Sequence, residues 1–563
     1  MDTLPSSTNS LRSPEFPLPA KACVFVILIA GVLAYGLSLN SRFYMDDYMH
    51  IVDNAFVKGE DGGSALKFRT FTYLVYRTVY SVAGPTPIAF HLVNLTIHLS
   101  AACALFACGK HLLRRMKLFR CENRREFAAF AGALIFVVHP FASEAVNYAR
   151  CTMIGFVTLF TILNGWAALR WAERPNWRDG ILFLLFLTLG AFSKEVGILH
   201  ITFNATLIAW IVHDPAWLVS ARSLLRKQNA GKITVAFVIA LFPVCYLCYH
   251  WVPIAYSRLT SPVITDHWLT QGRMIWGYFI NMVAPHELIV DHQIAWSRSS
   301  SDLPAMAGTS AMIVVFLFAS ILVVKQSTRP IGVLVAMLIF PLALRLLYPI
   351  YEHFVEYRAY PALPWFSLIV GIGLAAAAHR YWKAVQWALT AITLAGIAMS
   401  VMRTAEWSSP GLLAQQSINK YPLNNRPRLR LQVIAYDHGE FDRVLEIRED
   451  MYSTYARTFA YNESNRWARQ YDMGRAYADL INCDQWAAYA IAEISGSKTA
   501  LSFIGERLDF FRKRLGPFKD EDQFEAAMKS LITAREVLVE HGAAVDRELE
   551  FVSAADSPTE VPN

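Results

Sequence analysis

The chain lacks a disulfide framework. Of its eight cysteines, Cys23, Cys103, Cys108, Cys245 and Cys248 fall inside apolar runs, leaving no paired set in water-exposed segments. Cys245 and Cys248 share a C-x-x-C spacing, but without a second pair they read as packing residues rather than metal ligands. A continuous basic face is also missing. The formal charge of +7 is spread over short tracts between apolar runs, which argues against a nucleic-acid partner. No small-residue cleavage pattern follows the first apolar run, so Ala22 to Leu39 reads as a retained span and not a signal peptide. Internal duplication, which would suggest paired transporter halves, is absent as well.

What the chain does have is hydrocarbon. At 55% hydrophobic residues and a mean hydropathy of +0.31, it is too apolar for a soluble multidomain protein of 563 residues. The apolar residues group into about eleven candidate crossings by the ~20-residue length criterion. These lie near 22–39, 87–110, 127–141, 152–172, 180–193, 196–213, 233–252, 305–324, 331–350, 362–378 and 384–402. Met274 to Ala284 is apolar but too short to span and reads as a re-entrant or interfacial helix.

Orientation follows from Lys and Arg in the short loops. Arg114, Arg115, Lys117, Arg120, Arg124 and Arg125 occupy one loop and Arg222, Arg226, Lys227 and Lys232 another; Lys325 with Arg329 and Arg380 with Lys383 mark two more. All four fall on one side, which is thereby cytoplasmic. The expected fold is an all-α polytopic membrane protein: a cytoplasmic segment 1–21, a membrane domain 22–404 with outer loops 40–86 and 253–304, an outer helical domain 405–550 and a tail 551–563. Within the helical domain, Tyr421 to Asp442 reads as helix, Gly turn, helix. It resembles a single tetratricopeptide unit, with no clean second copy at the ~34-residue period, so a degenerate array and an irregular helical domain both stand.

Polar residues recur at the outer ends of the spans. They are Asp46 and Asp47 with Asn54, His139 with Glu144 and Arg150, Lys194 with Glu195, Asp291 with His292, and Glu352 and His353 with Glu356 and Arg358. Charges near a bilayer are costly unless they face a polar cavity or one another, so their coincidence at one level predicts a shared site. Two adjacent carboxylates favour one acting as a base with a raised pKa. A guanidinium can hold two phosphate oxygens, which puts Arg358 first for an anionic ligand and Lys194 second, as a point charge. Asp291 and His292 are two neighbours only and do not make a metal site; no cofactor is assigned, a divalent cation being the only one considered. His91, Asn94 and His98 share one helix face and read as structural hydrogen-bonding residues.

Taken in order, these pieces resemble a known family. Asp46-Asp47 with Ile51 and Asn54, His91-Leu-Val-Asn94 with His98, His139-Pro140 with Glu144 and Arg150, Ser193-Lys-Glu195, Leu269-Thr-Gln271 with Pro285 and Asp291-His292, and Glu356-Tyr-Arg358 with Tyr360 are similar to motifs of the transmembrane and tetratricopeptide-repeat O-mannosyltransferases and their bacterial relatives, in the C-type glycosyltransferase superfamily. The match runs from residue 43 to 361. The chain departs from the pattern at Cys151-Thr152-Met153, where relatives carry an acidic residue, and at Thr70, where they carry Pro.

The resemblance implies transfer of a sugar from a polyprenyl-phosphate donor to an acceptor hydroxyl, on protein Ser or Thr or on a surface glycan, at the outer face of a bacterial inner membrane. It implies Asp47, with Asp46 as the alternative, as general base, and Arg358 and Lys194 as phosphate ligands. His139 and Glu144 would orient acceptor or sugar hydroxyls, unless His139 simply caps its helix; Arg150, Glu195, Asp291, His292 and Glu356 complete the set. Two other classes fit the composition: a flippase for lipid-linked sugars, and an inactive membrane-anchored interaction protein.

Overall fold

The structure is a computed structural model that describes residues 18–60, 69–173, 176–212, 264–286, 288–294, 296–297, 301–346, 352–461, 466–514 and 528–540, with scattered positions between 249 and 260. Every regular element among them is helical. They divide into two units, one of residues 1–288 and 294–409, the other of 289–293 and 410–563.

In the first unit the apolar runs fold as α1 (Ala20–Tyr35), α2 (Thr70–Ala83), α3 (Pro87–Arg115), α4 (Glu122–Val138), α5 (Thr152–Glu173), α6 (Trp177–Ser193), α7 (Gly197–Val212), α8 (Ile264–Val283), α9 (Leu303–Val324), α10 (Arg329–Ala343) and α11 (Leu363–Glu406). Local chemistry marks their starts. The Asn176 side chain accepts the Asp179 N–H at 2.9 Å before α6, and Asp302 accepts the Ala305 N–H at 3.2 Å before α9.

Among the described residues six stretches are long and apolar enough to cross a bilayer: Ala20–Asn40, Pro87–Arg115, Ala149–Trp171, Leu303–Val324, Arg329–Leu346 and Glu356–Glu406. The pair Glu122–Val138 and Pro140–Asn147, bent by 52°, makes a seventh. The expected crossing at 233–252 and the end of the one at 331–350 lie outside the described residues. Those at 180–193 and 196–213 form α6 and α7, of 17 and 16 residues, shorter than a full span. The segment read as re-entrant belongs to a longer helix, α8, whose 20 residues turn His267, Gln271, Ile275, Tyr278 and Met282 to one buried face.

α11 doubles back on itself. Its helical geometry breaks at Tyr381 (φ −128°, ψ 46°), and both arms run along α4. Leu368 lies on Gly132, the Trp382 ring is 5.2 Å from that of Phe127, and Ser400 Oγ donates to Val138 O at 2.9 Å. The order of contacts descends α4 and climbs it again, so one continuous helical stretch supplies two apolar passes. A Cβ on Gly371 would lie 2.3 Å from Ala128 O and 2.6 Å from Gly132 N, so α4 and the first arm meet backbone to backbone. The loops after α3 and α5 share the end of the bundle where α11 turns: Glu126 pairs with Lys110 at 2.6 Å, and Asp179 with Arg170 at 3.2 Å.

The second unit stacks α12 (Pro410–Lys420), α13 (Arg426–Asp437), α14 (Phe441–Tyr461), α15 (Arg466–Ser495) and α16 (Ser497–Arg514), followed by a helix at 528–540. The expected Gly turn is Gly439, at φ +73° between α13 and α14. The helices of 11, 12, 21, 30 and 18 residues form an uneven series, nearer to an irregular domain than to a repeat. Met451, Ile481, Ile504, Leu508, Phe511 and Leu531 make the core. At its edge the buried Asp484 carboxylate takes Arg448 Nε and Arg507 Nε at 2.7 Å each and the Tyr452 hydroxyl at 2.6 Å.

The crossing of α4 and α11 predicts a graded response to added carbon. Gly371→Ala should destabilise the membrane unit by about 1–3 kcal/mol, because the new methyl meets backbone that cannot give way. Gly373→Ala, with nothing within 4 Å of its Cβ position, should be near neutral. Thermal unfolding of the two variants in detergent, followed by size exclusion, would show this; equal melting temperatures would count against the close crossing.

Candidate functional site

The loop after α1 is clasped to the turn that precedes α5. Asp47 is fully buried; its Oδ2 accepts the Tyr44 N–H at 2.9 Å and its Oδ1 accepts the Arg150 N–H at 2.6 Å. Asp46 donates its N–H to the Tyr148 hydroxyl at 2.9 Å, and its carboxylate pairs with the Arg150 guanidinium. The Asp46 side chain keeps 23% of its surface exposed, which makes it the accessible member of the pair. The turn in its own right rests on α3 and α2. Asn94 Nδ2 donates to Tyr148 O at 2.7 Å, Thr152 donates to Asn94 Oδ1, and the Tyr76 hydroxyl donates to Arg150 O at 3.0 Å. His98 Nε2 donates to Val137 O at 3.1 Å while its Nδ1 meets the Tyr360 hydroxyl at 2.7 Å.

A second clasp joins α2 to the α6–α7 turn. Arg69 holds Glu195 with two parallel bonds, Nε to Oε2 at 3.0 Å and Nη2 to Oε1 at 2.9 Å, and Thr72 Oγ1 donates to Ser193 O at 2.9 Å. Burial alone would raise the Glu195 carboxyl, but Arg69, with Lys194 behind it, outweighs burial and holds it down at about 2. Lys194 Nζ sits over the Tyr357 ring, 5.2 Å from its centroid. Burial pushes this amine down to about 7, Glu195 resisting while the guanidiniums of Arg69, Arg358 and Arg150 add to the fall.

Arg358 lies against the same ring, 5.7 Å from its centroid. It donates to Glu352 O at 3.0 Å and pairs with the Glu352 carboxylate. Glu144 and Glu356 are buried beside it, and Glu144 Oε2 accepts the Tyr357 N–H at 2.7 Å. Tyr357 is therefore a platform: Lys194 and Arg358 approach its ring, and Glu144 holds its backbone. The segment that carries it is seated on α8, where the Tyr278 hydroxyl accepts the Val355 N–H at 3.0 Å and Gln271 donates to His353 O at 2.9 Å.

Asp46, Asp47, Arg150, Lys194, Glu195, Glu144, Glu356 and Arg358 thus gather at one end of the bundle, linked by the contacts above. His139 is adjacent but occupied. Its Nε2 donates to Met282 O at 2.8 Å, its Nδ1 accepts the Phe141 N–H at 3.2 Å, and its carbonyl accepts the Tyr35 hydroxyl. It ties α4, α8 and α1 together and leaves no ring nitrogen open to a substrate. Asp291 and His292 belong to the second unit. There Asp291 O accepts from Asn424 at 3.3 Å, its carboxylate lies 3.8 Å from Arg426, and His292 Nδ1 lies 3.1 Å from the Tyr421 hydroxyl. Among the described residues no three His, Cys, Asp or Glu side chains are grouped as a metal set.

Sequence reasoning missed the Arg69 pairing and the Tyr357 platform. Arg69 and Glu195 are 126 residues apart, with no local signal to join them. Tyr357 was legible only as the aromatic between Glu356 and Arg358.

With this geometry in place, comparison with known proteins is informative. The chain is 23% identical over 232 residues, 38% of its length, to a Caenorhabditis elegans protein named protein O-mannosyl-transferase F38B6.6. It is 29% identical over 154 residues, 24% of its length, to mouse (Mus musculus) protein O-mannosyl-transferase TMTC1, and 30% identical over 140 residues, 21% of its length, to the human (Homo sapiens) protein of that name. The matched part spans 31% of the worm relative and 15% of each mammalian one. The chain is a distant relative of these proteins. No family model matches it, and no solved structure does.

The Arg69–Glu195 clasp is testable as a buried ion pair. Glu195→Gln, which strands the guanidinium, should cost about 3–5 kcal/mol, and the double variant Arg69→Met with Glu195→Gln should recover part of that loss. Because the Glu195 carboxyl sits below its unfolded value, the wild-type advantage should be complete above pH ~4.5 and vanish as pH falls through about 2. A double-mutant cycle of melting temperatures at neutral pH measures the coupling; strictly additive losses would show that the pair does not hold the loop.

Proposed function

We propose that the chain is a membrane glycosyltransferase that moves a sugar from a polyprenyl-phosphate donor to an acceptor hydroxyl, of protein Ser or Thr or of a surface glycan, on the outer side of the membrane. The observation that carries this reading is the meeting of an accessible carboxylate, Asp46, with Arg150, Lys194 and Arg358 at one end of an apolar helical bundle. The names of the distant relatives, protein O-mannosyl-transferases, support the same chemistry. The concentration of Lys and Arg in loops at the other end supports an outward-facing site.

In this reading the acceptor oxygen attacks the anomeric carbon of the donor sugar. Its new bond to that carbon forms as the bond from the carbon to the phosphate oxygen breaks, and the lipid phosphate leaves with the electron pair. The acceptor proton passes to a carboxylate. Asp47 is the first choice from sequence, but both of its oxygens accept backbone N–H bonds and it is sealed from solvent. We therefore assign proton removal to Asp46 and the holding of the loop to Asp47. Arg150 holds the Asp46 carboxylate in place. The leaving phosphate is met by Lys194, and by Arg358 once a phosphate oxygen takes the place of the Glu352 carboxylate. Glu144 and Glu356 support the platform from which those cations act.

Two outcomes follow. Asp46→Asn should reduce transfer by about 10²–10⁴-fold in membranes supplied with polyprenyl-phosphate mannose and an acceptor peptide, with donor binding retained. Undiminished transfer by Asp46→Asn and by Asp47→Asn alike would end the assignment. Lys194 binds phosphate in its protonated form, so donor affinity should rise as pH falls through about 7. Lys194→Arg, charged at all relevant pH values, should abolish that dependence between pH ~6 and ~8.5. Donor Kd measured across that range decides it, and an equally steep profile in the variant would remove Lys194 from the phosphate site.

A further inference from the structure

His50 follows Asp46 and Asp47 on the single helical turn Tyr48–Val52. It is nine-tenths buried, with 9% of its surface exposed. One ring nitrogen is fixed, since Nδ1 lies 2.6 Å from the Tyr73 hydroxyl. The other, Nε2, is buried and makes no hydrogen bond among the described residues. An imidazole with one edge pinned and the other buried and unmet is costly to the fold unless something bonds the second edge, and His50 shares this with other buried histidines of the chain but stands alone in following the two carboxylates.

The position of Tyr73, which meets the pinned Nδ1, shows what the ring as a whole adjoins. Tyr73 stands one turn after Arg69, its N–H donating to Arg69 O at 2.9 Å. Arg69 grips Glu195, and Lys194 is the next residue, over the Tyr357 ring that also carries Arg358. His50 thus belongs to the carboxylate loop and is tied through Tyr73 to the helix that starts at Arg69, in the neighbourhood of the cations assigned to the lipid phosphate. The sugar of a bound donor, joined to that phosphate and reached by that carboxylate, comes within this neighbourhood.

We propose that His50 Nε2 hydrogen-bonds a hydroxyl of the donor sugar and is a specificity-determining residue of the transfer reaction. The inference rests on the function proposed above. A hydroxyl fits either tautomer of the ring, a phosphate oxygen only one. If the Tyr73 hydroxyl donates to Nδ1, Nε2 carries the hydrogen and donates; in the other tautomer Nε2 accepts. A hydroxyl satisfies either arrangement, whereas a phosphate oxygen serves only the first. The ring also brings no positive charge to an anion: burial, with Arg69 and Lys194 beside it, pushes His50 down to about 4 and keeps it neutral. A neutral, oriented group that bonds a hydroxyl discriminates between sugars differing at one carbon, because the wrong epimer leaves it unpaired.

The test uses the full-length protein in nanodiscs with polyprenyl phosphates bearing mannose, glucose or galactose, and sugar-free polyprenyl phosphate as a competitor. His50→Phe should raise KM for the preferred donor by about tenfold to a hundredfold and narrow its advantage over the other two sugars by a similar factor. Inhibition by the sugar-free lipid should not change. His50→Gln, which keeps a hydrogen-bonding edge, should restore part of the preference, and Tyr73→Phe, which frees the ring, should lose part of it. If His50→Phe does not fold, the Gln and Tyr73 variants carry the comparison. Unaltered sugar preference in all of them, or matching loss of affinity for the sugar-free lipid, overturns the inference while leaving the transferase reading intact. A wild-type protein that transfers from none of the three donors overturns both.

Discussion

Arg150 joins two loops through two different groups. Its amide is held by Asp47 and its guanidinium by Asp46, so the stretch after the first span cannot move without breaking a buried hydrogen bond and an ion pair together. The constraint behind this is general to the site. A charge withdrawn from water at the end of an apolar bundle is tolerated only if a partner meets it, and leaving it unpaired costs several kcal/mol. Asp46 with Arg150, Glu195 with Arg69 and Glu352 with Arg358 all obey it. The first two pairs link segments that the membrane spans would otherwise leave as separate loops, and the third braces the single segment 352–358.

Lys194 is held differently. It rests on an aromatic face, but burial, and then the surrounding guanidiniums, make its proton easily given up. A cation kept in an environment that disfavours it has most to gain from an incoming anion. The three neighbouring arginines thereby do two things: they neutralise carboxylates, and they raise the electrostatic reward for a phosphate. His50 complements them as a neutral group in the same neighbourhood, available for shape and hydroxyl pattern rather than for charge.

Much of the architecture was legible in advance. The apolar runs at 22–39, 87–110, 152–172 and 305–324 correspond to helices long enough to span, because length and hydropathy are local properties. The two passes expected at 362–378 and 384–402 correspond to the arms of α11, turned at Tyr381 beside Arg380 and Lys383. The count of about eleven did not carry over to the described residues. α6 and α7 are short, and the apolar run at 274–284 supplies the second half of α8, a 20-residue helix whose buried face includes His267 and Gln271. Its polar residues look like breaks in an apolar pattern until the carbonyls they meet, Arg345 O and His353 O, are known.

By itself, then, the sequence determined that this is a helical, membrane-embedded chain, and it determined the inventory of acids and bases at the span ends, since hydrophobic periodicity and residue chemistry are set within a few turns. The tertiary structure decided which of those groups meet, which stay accessible and which are sealed in the scaffold. It sealed Asp47 while leaving Asp46 accessible, occupied both nitrogens of His139, assigned Asp291 and His292 to the other unit, and set Lys194 and Arg358 against one tyrosine. The physical reason is range. Burial and ion pairing are properties of groups a hundred or more residues apart in the chain, and no local pattern records which of them will meet.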